Sequence, residues 1–212
     1  MNKISLVIGF LTFTLNITLG QLEDINPDYL NTLNKRAGKI VDAIALKDQK
    51  KSARVQEIIV IQYYELSKIH DARDAKLDEI NSMEGEEKEN AKILIQNETN
   101  SKLYKLHAAY LARLSSEITQ DQVIQVKNGM TYGVFDRTYN GYLTLLPALT
   151  DEQKRCIYRN LAEARELAMD AGSSEAKHAL FGKYKGRINN YLSAEGYDLK
   201  KAEQALKEKS KQ

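Results

Sequence analysis

Apolar residues recur every three or four positions through most of the chain, a spacing that predicts helices rather than strands. The pattern is clearest near the C-terminal end, where Ser173 can cap the start of a helix and Gly196 can take the left-handed conformation that ends one. The apolar stripe between these caps consists of Leu180, Tyr184, Ile188 and Tyr191. This stripe predicts a helix over residues 174–194 with one face in a core.

The opposite face of this predicted helix has an unusual composition. It carries His178, Gly182, Gly186, Asn189 and Ser193, with no acidic side chain. A glycine inside a helix costs roughly 1 kcal/mol relative to alanine. Two glycines one turn apart therefore predict that a second helix or a ligand approaches this backbone closely.

The N-terminal half shows three further helical stripes, over residues 27–46, 49–82 and 86–116. A short break at Gly85 separates the last two, which predicts a long antiparallel helical hairpin. The side chains expected to face inward from the third helix are Leu94, Leu103, Leu106, Tyr110, Leu111 and Leu114. In this hairpin His70 should lie near Glu98 and His107 near Ile61, too far apart to share a metal ion.

Two capping boxes mark later helix starts. Thr119 and Thr150 are each preceded by an apolar residue and followed three positions on by a glutamine. They predict helices over residues 120–128 and 151–171, and a last helix follows over residues 199–209. The same Leu-Thr-x-x-Gln pattern resembles a signature of small periplasmic helical chaperones of the Spy and CpxP type, although capping alone accounts for it.

The segment Gly129–Tyr142 breaks the helical pattern. Three glycines punctuate it, and we expect an irregular tyrosine- and glycine-rich connector that packs against the helix over residues 174–194. Tyrosine rings stack on sugar rings, and asparagine and basic side chains bind hydroxyl groups and anions. The candidate ligand-binding residues are Tyr132, Tyr139, Asn140, Tyr142, His178, Lys183, Tyr184, Arg187, Asn189 and Asn190. The alternative is that these side chains only pack.

Composition limits the functional classes. The chain has 212 residues with 31 basic and 29 acidic side chains, a balance that argues against a dedicated nucleic-acid binder. Residues 21–212 are the size of one all-helical domain, a single helical bundle. Cys156 is the single cysteine, so no internal disulfide forms. Neither a Glu-x-x-His motif nor a Cys/His cluster is present, and we expect neither a metal nor another cofactor.

The first 20 residues have the features of a secretory signal peptide. Lys3 precedes an apolar stretch that is short for a membrane span, and small residues stand at the cleavage positions before Gln21. We expect a periplasmic or secreted protein with no stable membrane anchor once the signal is removed.

Several motifs resemble those of an uncharacterised family, a domain of unknown function. They are Leu106-His-Ala-Ala-Tyr-Leu-Ala-Arg-Leu114, Val126-Lys-Asn-Gly-Met-Thr-Tyr132, Thr138-Tyr-Asn-Gly-Tyr142, Glu163-Ala-Arg-Glu166, Ala168-Met-Asp-Ala-Gly172 and Phe181-Gly-Lys-Tyr-Lys-Gly-Arg-Ile-Asn-Asn-Tyr-Leu-Ser193. The family comprises secreted proteins of Bacteroidota-type bacteria, often encoded beside genes for pectin breakdown. The resemblance implies an exported location and a plant-polysaccharide context, and it transfers no catalytic residue.

Three functional classes remain open. The first is an accessory protein that binds a pectic glycan or a partner protein. The second is a glycan-active enzyme: a hydrolase would draw its two carboxylates from Asp136, Glu163, Glu166 and Asp170, whereas a lyase would use His178, Tyr184 and Arg187. The third is a Spy-like helical chaperone. The sequence does not decide whether the protein is an enzyme.

Export predicts removal of residues 1–20. Protein recovered from the periplasm of an expressing bacterium should have an intact mass that starts at Gln21 or at its cyclised form. A mass that retains Lys3 would contradict the cleavage.

Overall fold

The structure is a computed structural model that describes residues 25–209. Over this range the chain forms eight helices and no strand, which confirms the all-α class. The helices are α1 (Pro27–Ile44), α2 (Gln49–Glu79), α3 (Gly85–Glu117), α4 (Gln120–Met130), α5 (Val134–Leu145), α6 (Asp151–Met169), α7 (Ser174–Ala194) and α8 (Leu199–Lys209). The predicted signal peptide lies outside the described residues.

Local signals in the sequence explain where several helices begin. The side chain of Asn26 accepts hydrogen bonds from the first turn of α1, and Pro27 occupies its first position. Both predicted capping boxes are present, at Thr119 before α4 and at Thr150 before α6. Each box pairs backbone N–H groups that the start of a helix would otherwise leave without partners.

The predicted hairpin is formed by α2 and α3. Arg54 binds Glu117 through two N–O contacts of 2.9 Å at the open end, and Lys76 pairs with Glu98 nearer the turn. Lys76 thus takes the place beside Glu98 where we expected His70. His70 instead contacts the Asp170 carbonyl and Arg73, and His107 contacts Asp170 and Glu166.

The described residues form two hydrophobic cores. The N-terminal core joins side chains of α1, α2, α3 and α4 with Met169, and the C-terminal core joins α5, α6 and α7. Met169 at the end of α6 belongs to the first core, whereas Ala164 and Ala168 on the same helix belong to the second. The C-terminal end of α6 therefore marks the junction between the cores.

The expectation of an irregular connector is wrong for most of its length. Residues 134–145 form α5, and only a short turn over residues 131–133 separates it from α4. Val134, Phe135 and Tyr142 are buried in the C-terminal core, so burial of these large side chains outweighs the cost of Gly141 inside the helix. The predicted contact with α7 is present, because the Tyr142 hydroxyl lies 2.6 Å from Asn189 Oδ1.

Two further expectations about packing need correction, because no second helix covers the glycine face of α7 among the described residues and Leu94 does not point inward. A ligand on that glycine face stays a prediction. A Cβ atom built on Gly182 or on Gly186 meets no neighbour within 4 Å, so this face of α7 looks onto solvent. Leu94 is 69% exposed rather than inward, because α3 packs mainly on α2 and this position lies outside their seam. In both cases helical spacing identified a face but not what would cover it.

The glycines give a direct test of this packing. Gly186→Ala should raise the free energy of unfolding by about 0.5–1 kcal/mol, because the helix gains alanine's propensity in open space. Gly129→Ala is the matched comparison. Its Cβ would lie 3.0 Å from Ile40 Cγ1, so most or all of that gain should be lost. Urea unfolding measures both, and a destabilised Gly186→Ala would restore the close-approach interpretation.

Candidate functional site

A cavity of about 750 Å³ opens where α1, α2, the turn after α4 and the start of α7 meet. Aromatic rings are contributed by Tyr29, Tyr63 and Tyr132, and long cationic side chains by Arg36, Lys39, Arg73 and Lys177. We call this space the basic cavity. Gly129 and Gly172 also line it, so the backbone forms part of the wall.

The charges around the basic cavity do not cancel. Asp74 is engaged by Arg73, with an N–O distance of 2.6 Å, and Asp71 accepts a hydrogen bond from Ser67. Within residues 25–209 neither Arg36 nor Lys39 has an ion-pair partner. The cavity therefore presents an excess of positive charge, which attracts anions.

His70 forms the floor of the cavity next to the α6–α7 loop. Its Nε2 lies 2.7 Å from the carbonyl oxygen of Asp170, and its Nδ1 lies 2.9 Å from Arg73 Nη1. A guanidinium only donates and a carbonyl only accepts, so these contacts define a neutral imidazole protonated on Nε2. A Cβ on Gly172 would lie 2.8 Å from His70 Cγ, so only glycine fits against the ring.

Lys177 reaches into the cavity from the first turn of α7 and is 6% exposed. Its Nζ donates a 3.0 Å hydrogen bond to the Met130 carbonyl and lies 5.9 Å from the ring centres of Tyr63 and Tyr132. Burial lowers the pKa of this amine to about 8, with a further lowering from Arg36 and an opposing contribution from Asp170. About a tenth of Lys177 is therefore uncharged at pH 7, and about half is uncharged at pH 8.

Tyr132 stands at the cavity wall in a strained conformation. Its backbone φ is 58°, in the left-handed region that costs a non-glycine residue roughly 1–2 kcal/mol. The ring is 49% exposed and stacks on His178 with a centroid distance of 5.9 Å. A large aromatic side chain in such a position points to a functional role.

Behind the cavity, a cluster of charged side chains joins α3, α4 and α6. His107 Nδ1 lies 2.8 Å from Asp170 Oδ2, and His107 Nε2 lies 3.4 Å from Glu166. Lys127 Nζ also contacts Glu166, at 2.7 Å. We call these residues the junction cluster because they lie where the two cores meet.

The contacts within the junction cluster favour the charged forms of His107 and Glu166. The contacts of His107 with Asp170 and then Glu166 raise its pKa to about 9. Burial would raise the pKa of Glu166, but His107 and Lys127 outweigh it and lower that pKa to about 2. The cluster therefore fixes the end of α6, whose Asp170 carbonyl in turn holds His70.

The residues predicted from the sequence are distributed over several places. Tyr132 lines the basic cavity, and the His178 ring stacks on the Tyr132 ring. Tyr139 lines a second cavity of about 450 Å³, beside Tyr158. The Arg187 guanidinium lies over the ring of Tyr184, 4.5 Å from the ring centre. Tyr142 and Asn189 form the hydrogen bond described above. The remaining candidates are the exposed side chains Asn140, Lys183 and Asn190. A ligand role for these residues stays a prediction.

Most of the basic cavity was not predicted. Arg36, Lys39 and Arg73 lie on helix faces that sequence reasoning assigns to solvent. The position of Lys177 could have been noticed in the sequence. It lies one helical turn before Phe181 and two turns before Tyr184, on the buried stripe of α7. A lysine at a core position is rarely buried without a specific partner or a specific role.

Fold and cavity together define an all-helical protein with a basic, tyrosine-lined cavity. A family model described as "Protein of unknown function (DUF3826)" matches residues 30–212, and the chain belongs to this family. No curated protein matches the chain. Among the described helices, none has a stretch long and apolar enough to cross a membrane.

The junction cluster predicts a pH-dependent stability. The pKa of His107 is about 9 in the folded protein against an ordinary 6.5, so its contribution is complete below pH 6.5 and is lost as the pH rises through 9. Unfolding by urea at both pH values should show a loss on the order of 1–3 kcal/mol that His107→Gln largely abolishes. Lys177 is present in both the wild type and His107→Gln, so the difference between their pH profiles reports the His107 imidazole alone. Equal pH profiles would contradict this role.

Proposed function

We propose that this protein is an exported, non-catalytic accessory protein that binds acidic, polyhydroxylated ligands, and that uronate-containing pectic glycans are the ligand class. The binding site in this proposal is the basic cavity. The observation that carries it is that three tyrosines line the same cavity as Arg36 and Lys39, two cations without an ion-pair partner among residues 25–209.

The chemistry of the cavity supports this class of ligand. Tyrosine rings offer flat apolar surfaces for sugar rings and hydroxyl groups for hydrogen bonds. Arginine and lysine form charge-assisted hydrogen bonds with carboxylates. The volume of about 750 Å³ falls in the range typical of small-molecule sites. Export and a polysaccharide context are supported by the N-terminal sequence and by the family resemblance.

The enzymatic alternative has weaker support. Glu166 and Asp170 are paired with His107, and Glu163 accepts a 2.5 Å hydrogen bond from Tyr184. None of these carboxylates lines the basic cavity. The candidate lyase residues are also divided, because His178 stacks on Tyr132 while Arg187 lies over Tyr184.

A specific observation favours the chaperone alternative. Ile93, Leu94 and Tyr104 on α3 are exposed by 56%, 69% and 78%. Such side chains could contact an unfolded client, but single exposed apolar residues are common on protein surfaces. A holdase assay that shows suppressed aggregation, lost in Leu94→Glu but retained in Arg36→Gln, would favour this alternative over ligand binding.

Isothermal titration calorimetry tests the glycan proposal. An oligogalacturonate should bind, and a neutral glucan of the same length should bind much more weakly. Arg36→Gln should weaken binding about tenfold, equivalent to about 1.4 kcal/mol, because one charge-assisted contact is lost. Arg137→Gln is the control, an exposed arginine outside the cavity. Equal affinity for the neutral glucan, or an equal loss in Arg137→Gln, would contradict the proposal.

Tyr132 provides a second, independent test. Tyr132→Gly should weaken oligogalacturonate binding at least tenfold, because a stacking surface is removed. Its free energy of unfolding should stay within about 1 kcal/mol of wild type, because glycine relieves the left-handed strain and offsets the lost ring contacts. Tyr104→Ala, which removes an exposed tyrosine elsewhere, should bind normally. Full binding by Tyr132→Gly would exclude the ring from the site.

A further inference from the structure

Two buried lysines near the junction of the cores have opposite surroundings. Lys127 Nζ lies 2.7 Å from the carboxylate of Glu166, so this lysine has an ion-pair partner. Lys177 Nζ instead donates to the carbonyl of Met130, and in the described part of the chain it has no carboxylate within ion-pair distance. The structure therefore gives one buried lysine a carboxylate partner and leaves the other, among the residues it describes, without one within ion-pair distance.

The surroundings of Lys177 favour a reactive amine. Burial among Tyr63, Tyr132 and the backbone of Met130 removes water that would stabilise the ammonium. Burial lowers the pKa of Lys177 to about 8 although Asp170 opposes the shift, and the nearby Arg36 guanidinium acts in the same direction as burial. Desolvation beside another cation is a known way of making a lysine nucleophilic.

The position of the amine also fits a reaction with a bound ligand. Lys177 belongs to the wall of the basic cavity. In the neutral form, one N–H of the amine can donate to Met130 while the lone pair remains available for attack. Arg36 and Lys39, on another wall, can hold the carboxylate of the same ligand.

We propose that Lys177 forms a reversible imine with the open-chain aldehyde of an acidic sugar bound in the basic cavity. This inference rests on the proposed function, because it assigns the same cavity a ligand that carries both a carboxylate and a reducing end. The consequence is retention of acidic reducing-end sugars by a covalent but reversible bond.

The chemistry needs no co-reactant. Nζ adds to the aldehyde carbon to form a C–N bond, and the carbonyl oxygen becomes the hydroxyl of a carbinolamine. Loss of this hydroxyl as water, with the proton that balances it supplied by nitrogen and the surrounding donors, gives the C=N bond. Addition of water reverses both steps. Burial raises the pKa of Tyr63 to about 12, so its phenol stays protonated as a donor at the cavity wall.

Reductive trapping tests the proposal on the wild-type mature protein. Glyoxylate, a small aldehyde with a carboxylate, is incubated with the protein and sodium cyanoborohydride at pH 7, and modified lysines are quantified by peptide mass spectrometry. Lys177 should be modified at least about tenfold faster than Lys183, an exposed lysine on the same helix, and faster than Lys127. Modification of Lys177 at or below the rate of Lys183 would overturn the proposal.

A competitor separates this inference from the proposed function. An oligogalacturonate whose reducing end has been converted to an alditol can bind but cannot form an imine. It should protect Lys177 and leave Lys183 unprotected. If Lys177 reacts selectively and the alditol gives no protection, the assignment of an acidic sugar as imine partner is overturned. If the alditol binds by calorimetry and Lys177 is unreactive, the imine fails while glycan binding stands.

The variant Lys177→Arg gives a further readout. Arginine cannot form the imine, so the selective label should disappear from position 177. Because the labelling rates are compared within the wild-type protein, the conclusion does not require this variant to fold. A selective label that persists at another cavity lysine in Lys177→Arg would contradict the assignment to Lys177.

Discussion

The end of α6 is the constraint on which the rest of the structure depends. The side chain of Asp170 pairs with His107 of α3, and its backbone carbonyl accepts a hydrogen bond from His70 of α2. Met169 lies in the N-terminal core, while Ala168 lies in the C-terminal core. The chain then passes Gly172, where no Cβ fits against His70, and starts α7. One short segment thus joins the cores and fixes a wall of the basic cavity.

Because this junction is made of charges, its strength follows their protonation. A buried charge that lost its partner would be strongly destabilising, so each member of the junction cluster depends on the others. Asp170 has two roles: its carboxylate pairs with His107 in the junction cluster, and its backbone carbonyl orients His70 at the basic cavity. Changes in the cluster are therefore expected to reach the cavity through a single peptide unit rather than through a long relay.

The sequence predicted the helices well and the site poorly, and the two outcomes have different physical causes. Helical periodicity and the capping boxes at Thr119 and Thr150 are local, so they survive folding. Gly141 misled the assignment of α5 because burial of Phe135 and Tyr142 is a tertiary effect that outweighs propensity. The basic cavity draws its cations from three helices, and no local spacing reveals that Arg36 and Lys177 face the same space. Only Lys177, a lysine at a core position, stood out from its own helix.

The features that line the basic cavity oppose stability. Tyr132 occupies a left-handed backbone conformation, Arg36 and Lys39 place like charges close together, and Lys177 is buried without a carboxylate. Each has a substitution that would relieve the cost without disturbing the cores, such as glycine for Tyr132 or an apolar residue for Lys177. Strain and uncompensated charge that converge on one cavity are typical of a functional site. A ligand that carries a carboxylate and a sugar ring would relieve the charge excess and cover the exposed tyrosine with its C–H face, which is the physical basis for choosing an acidic sugar over a purely structural role.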